Sequence, residues 1–340
     1  MLRSCRSFYG LGVFRGRDIK FMRFLFLFLV LILSACASKP PGTERVFFPT
    51  ASPRWLDEVG APDLATIKGR GYLVLPQGAG PGPYPAVILL HSSLGVGTLE
   101  WDFTDKLLAQ GMAVLLVDSF TGRGLTKIEH DQMEVSEVSI LADLYAGYRF
   151  LAAQPQIDRS RVAVAGFSKG GLPAVYSAFT EIYQRYGYQN DPFQSHLAFY
   201  PWCGLRLKDW RMSGRPVQIH SGDADKITPA ALCRQLVQSA WAANPGAAVS
   251  LIVYPGQRHG FTHPDLDAIS LPVSYPYPRD CRIVERADGR FVEQASGRVI
   301  TGDNLSEVIG ACSAKGAWVS GDEGARTEAY KRALAFLAGR

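Results

Sequence analysis

The stretch RVAVAGFSKGG, residues 161–171, sets a nearly unbroken apolar run directly before a serine flanked by glycines. The run reads as a buried strand, and LPAVYSAF after it reads as a helix. Gly166-Phe167-Ser168-Lys169-Gly170 therefore has the setting that a G-x-S-x-G turn requires, between strand and helix. Small residues on both sides permit a sharp turn that lifts the Ser168 hydroxyl above the sheet edge. The helix N-terminus behind it offers free N–H groups where negative charge would develop.

Outward from this point the pattern repeats. Apolar strands are expected at 69–76, 86–92, 113–118, 196–201, 216–222 and 249–256. Helices are expected over WDFTDKLLAQG, over 134–154 before Pro155, over 230–244 and over 325–339. Continuous apolar strands alternating with helices imply an α/β fold, a mostly parallel sheet flanked by helices on both faces. A single domain over 64–340 holds all of these elements, and no internal repeat is visible.

A serine at its ordinary pKa needs a base, and the base needs an orienting group. The histidines after Ser168 are His196, His220, His259 and His263. His196 and His220 belong to strands and are expected to pack or cap. His259, in YPGQRHGFTHP just past a strand, is the expected base; His263 is expected at the surface or against substrate. The acid is sought in HSGDADKITP, on the loop leaving strand 216–222. Asp225 is the choice, with Asp223 as a turn-capping alternative. Ser93, in HSSLGVG, and Lys169 are the candidate backbone N–H donors to an oxyanion. The Lys169 side chain is expected to reach solvent.

The 340 residues are 47% hydrophobic and carry a net charge of +5. Arg3, Arg6, Arg15, Arg17, Lys20 and Arg23 against Asp18 account for all of that excess, so the remainder is balanced and no nucleic-acid partner is implied. In MRFLFLFLVLILSAC, residues 22–36, one Arg precedes the apolar run Phe24 to Leu33, too short to span a bilayer but of signal-peptide length. A signal peptide is expected over 1–35, with Met22 as a possible true start. Leu33-Ser34-Ala35-Cys36 resembles the lipobox of bacterial lipoproteins. That resemblance implies cleavage before Cys36, lipidation of Cys36 and a membrane-held protein on the periplasmic side of the cell envelope. The absence of Asp after Cys36 favours the outer membrane. Residues 36–63 then read as the lipidated Cys and a tether, ending in a strap against the domain.

Four further cysteines, Cys203, Cys233, Cys281 and Cys312, suggest two disulfides in an oxidising compartment. Three pairings are open. Cys203–Cys233 and Cys281–Cys312 are favoured, each closing a loop of about 30 residues worth roughly 2–4 kcal/mol. No Cys/His spacing resembles a metal site, and neither metal nor organic cofactor is expected.

The segments GYLVLPQGAGPGPYPAVILLHSSLG, LAQGMAVLLVDSF, RVAVAGFSKGG, HSGDADKITP and YPGQRHGF together resemble the dienelactone hydrolase family of α/β-hydrolases. The resemblance covers roughly 66–264 and the last helix. It implies an α/β-hydrolase fold, acyl transfer, Ser168 as nucleophile, Asp225 as acid and His259 as base. The departures matter. Dienelactone hydrolases proper carry Cys at the position of Ser168 and Glu at the position of Ser92. They hold a substrate carboxylate with two Arg side chains. Arg123 in SFTGRG matches one, while His263 stands near the other. Hydrolysis of a small-molecule carboxylic ester or lactone by a serine esterase is thus the expected class. An envelope peptidase of the same fold and a non-enzymatic binding lipoprotein are the alternatives. The family does not normally carry residues 265–324, read here as a hairpin-bearing insert that either roofs the site or decorates the surface. The Tyr-rich stretch 181–193 is a second candidate wall or a set of packing aromatics.

Overall fold

The computed structural model describes residues 39–128, 131–267, 269–273 and 275–339. The expected signal peptide, the alternative start at Met22 and lipidation at Cys36 lie outside the described residues. Among these residues no helix is long and apolar enough to cross a membrane.

The chain runs through β1 (Glu44–Ala51), β2 (Thr66–Val74), β3 (Tyr84–Leu90), α1 (Thr98–Ala109), β4 (Ala113–Val117), α2 (Glu137–Ala152) and β5 (Ile157–Phe167). It continues through α3 (Gly171–Tyr176), α4 (Thr180–Arg185), β6 (His196–Phe199), β7 (Leu205–Arg206), β8 (Val217–Gly222), α5 (Ala230–Ala243) and β9 (Val249–Tyr254). The remainder is β10 (Ser270–Pro272), β11 (Ile283–Glu285), β12 (Phe291–Glu293), α6 (Leu305–Cys312), β13 (Trp318–Ser320) and α7 (Glu323–Leu337).

Eight strands form one sheet in the order β1-β2-β4-β3-β5-β6-β8-β9. From β4 to β9 every pairing is parallel, and β2 alone runs the other way, antiparallel to both β1 and β4. Strands β3 and β4 and the second half of β5 are continuous apolar runs because both faces are covered. Ile88, Leu90, Leu115, Val117, Val162 and Val164 pack toward α2 and α3. Their neighbours Val87, Leu89, Val114, Leu116, Ala163 and Ala165 pack toward α1 and α7. This is the α/β-hydrolase fold expected from the sequence. Leu90 pairs with Gly166, Phe167 with Phe199, and Gly222 with Tyr254. The loops after β3, β5, β8 and β9 therefore meet at one sheet edge, where such folds place their chemistry.

The sheet begins earlier than expected. Residues 44–51 form its edge strand, ahead of the boundary at 64, with Val46, Phe48 and Thr50 buried in alternation. Pro49 obscures this strand in the sequence, yet an edge position tolerates a residue with no N–H to donate. The Tyr-rich stretch packs on α2: Tyr186 and Tyr188 stack on Tyr145 with ring centroids 4.6 and 5.2 Å apart. It supplies packing aromatics and not a site wall.

The insert is built of short elements. Strands β10 and β13 pair as a ribbon, and β11 and β12 form a hairpin whose β11 also pairs in parallel with β7. Cys203–Cys233 and Cys281–Cys312 are the disulfides, with sequence separations of 30 and 31. The first ties the segment before β7 to α5, and the second ties the chain ahead of β11 to the end of α6.

His220 is enclosed in β8, with Nδ1 2.8 Å from the Tyr254 hydroxyl and Nε2 2.9 Å from Gln218 Oε1. Burial, then the nearby Arg332 charge, pushes its pKa from 6.5 down to about 3. The folded protein thus keeps this ring neutral while the unfolded chain takes up a proton below pH 6.5. Stability is lost as pH falls through that window, by up to about 1.4 kcal/mol per pH unit. Between pH 7 and 5, wild type is expected to lose about 2 kcal/mol more than His220→Gln in urea unfolding. Equal losses in the two proteins would refute the assignment.

Candidate active site

Ser168 sits at the first position after β5 with φ 50°, in the left-handed region. For a residue bearing a Cβ this conformation costs about 1–2 kcal/mol. The neighbouring glycines explain how it is held. A Cβ on Gly166 would lie 2.1 Å from the Gly170 carbonyl oxygen, and one on Gly170 would lie 2.6 Å from that of Leu90. The turn closes on itself and on the end of β3, so a side chain fits at neither position.

His259 Nε2 lies 2.8 Å from Ser168 Oγ, and His259 Nδ1 lies 2.8 Å from Asp225 Oδ2. Asp225 is buried and well supplied with donors. Its Oδ1 accepts from the N–H groups of Ile227 at 2.8 Å and Thr228 at 2.9 Å. Thr228 Oγ1 stands 2.8 Å from Oδ2 and 3.0 Å from His259 Nδ1. Asp225 Oδ2 accepts from His259 Nδ1–H, which fixes that tautomer and leaves the Nε2 lone pair directed at Ser168. Asp223 accepts from Gly256 N at 2.6 Å and caps a turn, the alternative role read for it.

The His259 loop is fixed from two directions. The Tyr200 ring meets the imidazole edge-on at 4.9 Å, and the Tyr200 hydroxyl bonds Thr262 Oγ1 at 2.7 Å. On the other side the last residues of the insert zip to it. Ser320 N donates to His259 O at 3.2 Å, Asp322 N to Phe261 O at 3.0 Å, and Gly321 N to Leu266 O at 2.8 Å.

After β3, the loop 91–97 is braced by the buried Glu100. Its carboxylate accepts from Ser92 N at 3.1 Å and Gly97 N at 2.9 Å. Ser93 Oγ donates to Gln132 Oε1 at 2.7 Å. Ser93 and Lys169 border one recess together with Ser168 and His259. The Lys169 side chain does not reach solvent. Only 2% exposed, its ammonium bonds Glu137 Oε1 at 2.9 Å and also the Gln132 carbonyl. The closeness of α2 to the turn, invisible in sequence spacing, is the reason.

Arg123 is likewise not a substrate ligand. It bonds Asp143 twice, at 2.7 and 3.1 Å, and reaches Ser52 Oγ and the carbonyls of Ser119 and Ala51. Those five bonds use the five N–H donors of a guanidinium and clamp β1 to α2. His263 does lie on the cavity wall beside Ser168 and His259. Burial, ahead of opposing nearby carboxylates, holds its pKa below the ordinary histidine range, so it is neutral at pH 7.

A second Ser–His–Asp chain exists. His196 lies 3.0 Å from Ser177 Oγ and 2.8 Å from Asp191 Oδ2, but Ser177 and His196 are completely enclosed. It ties β6 to the end of α3, the packing role read for His196. Access distinguishes the two sets. Ser168 and His259 open on a cavity of about 660 Å³, within the range of small-molecule sites. Leu94 and Leu99 form one wall, and Leu271, Val273, Tyr275 and Val319 of the insert form the other. The insert therefore borders the site. Glu100, Thr228, Tyr200 and Glu137 were missed in the sequence. Only Thr228, three residues after Asp225 in an Asx-type turn, carried a local signal.

The sequence profile of the dienelactone hydrolase family matches residues 70–292. An uncharacterized protein of Mycobacterium tuberculosis is 30% identical over 191 residues, 52% of this chain and 64% of its own length. The chain thus spans less than two thirds of that curated relative. A protein of Klebsiella pneumoniae assigned as a dienelactone hydrolase superposes with a TM-score of 0.51 at 17% identity, over 87% of this chain and 100% of that one. A dienelactone hydrolase-like promiscuous phosphotriesterase from metagenomic libraries gives 0.55 at 16% identity, over 87% and 98%. At such identities the likeness is one of fold.

Proposed function

The chain belongs to the dienelactone hydrolase family, and on that premise we propose a serine hydrolase that cleaves a carboxylic ester or lactone through an acyl-enzyme. The observation that carries this reading is the line of 2.8 Å contacts from Ser168 through His259 to Asp225 beside an open cavity. Ser168 Oγ attacks the carbonyl carbon as His259 Nε2 takes its proton. The backbone N–H groups of Ser93 and Lys169 receive the developing oxyanion, each such donor being worth about 3 kcal/mol. The C–O bond to the leaving alcohol breaks as His259 returns the proton. Water, deprotonated by His259, then releases the acid and restores Ser168. Asp225 keeps the imidazole in one tautomer and offsets its positive charge. His263 contacts the substrate from the cavity wall. Dienelactone itself is disfavoured because Arg123 has no donor left for a carboxylate.

A small fluorophosphonate tests the chemistry. Intact mass should show a single adduct on residues 37–340 kept oxidised, and none on Ser168→Ala. An adduct on both proteins, or on neither, would defeat the assignment of Ser168.

We place the protein on the periplasmic side of a bacterial envelope, in the outer membrane, through lipidated Cys36. The basis is the Leu33-Ser34-Ala35-Cys36 tetrad after an apolar run. Cys36→Ala should move the protein from the membrane to the soluble fraction; unchanged membrane retention would overturn the anchor.

A further inference from the structure

The space around Ser168 is sharply asymmetric. On one side is the cavity of about 660 Å³, walled by apolar side chains of the loop 91–97, α1 and the insert. On the other is a recess of about 40 Å³, bordered by the same Ser93, Ser168 and His259 and closed by Trp202, Tyr277 and Pro278. That is room for little more than a water molecule or a methyl group. The buried Lys169–Glu137 pair stands beside the recess, so each charge there is met by its opposite.

From this asymmetry, and resting on the esterase reading above, we infer that the substrate is a lopsided ester. One side of its scissile bond is a long or bulky apolar group, held between Leu94 and the insert. The other is a group of about two carbons. The mouth of the larger space supports the long group. Leu94 and Leu271 line it together while remaining 49% and 46% exposed, so the opening presents two large apolar side chains that a long apolar group could cover. Leu271 faces Val319 across the β10–β13 ribbon, so this wall comes from the segment 265–324. Lys315, the one ammonium on this lining, is exposed.

The test uses two series of neutral esters with the oxidised protein, followed by acid release. Alkyl acetates lengthen the alcohol, and methyl alkanoates lengthen the acid. Burial of each methylene is expected to raise kcat/KM by about fourfold. Even with only half of its six added methylenes buried, one series should climb by more than about 30-fold between two and eight carbons, while the other collapses beyond three. Leu271→Glu, at a half-exposed position, should cut the eight-carbon to two-carbon ratio at least tenfold. Two flat series, two rising series, or an unchanged ratio in Leu271→Glu would each overturn the lopsided substrate. Fluorophosphonate labelling separates this from failure of the parent reading. Labelled Ser168 with flat chain-length dependence defeats only the lopsided substrate, and no labelling with no ester turnover defeats both.

Discussion

Ser168→Ala is expected to lower kcat for any ester the protein hydrolyses by about 10⁴-fold or more, with Tm changed by no more than about 2 °C. The stability half of this expectation follows from the backbone. Alanine keeps the Cβ already accommodated at φ 50°, so the turn gains no new strain. Only the 2.8 Å contact to His259 is lost. His259→Ala should be of similar severity, and the double variant no worse than either, because the two groups act as one unit. Asp225→Asn should cost about 10⁴-fold by another route. Its amide would face His259 Nδ1 with a donor where an acceptor stands, favouring the tautomer that carries the proton on Nε2. Steady-state kinetics with thermal melts checks the set; a Ser168→Ala protein retaining a tenth of wild-type kcat would remove Ser168 from the mechanism.

The largest structural effect is expected at Gly166. The added methyl of Gly166→Ala would lie 2.1 Å from the oxygen and 2.5 Å from the carbon of the Gly170 carbonyl, both backbone atoms of the turn. No side chain can swing aside, so β5 and the start of α3 must separate. A loss of roughly 3 kcal/mol or more is expected, at the upper end for overpacking, with activity lost alongside it. Gly310→Ala is the control. It lies in α6, where an added methyl would meet no other part of the protein within 4 Å, and should gain up to about 1 kcal/mol. Urea unfolding of both variants decides the matter, and wild-type stability in Gly166→Ala would show that the turn is looser than its geometry.

Much of this could be read before the structure because the decisive features are local. A strand buried on both faces must be apolar throughout, so β3, β4 and β5 announce themselves. Ser168, Asp225 and His259 each follow such a strand, which brings them to one edge. What escaped the sequence depends on distant partners. Arg123 looked available because Asp143 lies within the pattern of α2, where nothing marks it as facing a guanidinium. Lys169 looked solvent-bound for the same reason, its partner Glu137 being on another element. Strand β1 was concealed by Pro49. The disulfides were narrowed by loop length but not determined, since four cysteines allow three pairings whatever their spacing. Ser177, His196 and Asp191 show the reverse hazard: a set of residues able to mimic the site in composition while sealed from any substrate.

The bonds from Ser320, Gly321 and Asp322 to the segment around His259 also bear on when the site comes into existence. A chain synthesised from its N-terminus has Ser168, Asp225 and His259 in hand long before residues 320–322 emerge. Until they do, the loop bearing the imidazole lacks its outer support and the cavity lacks Val319. The last stretch before the final helix thus completes both the backbone support of the His259 loop and one wall of the cavity.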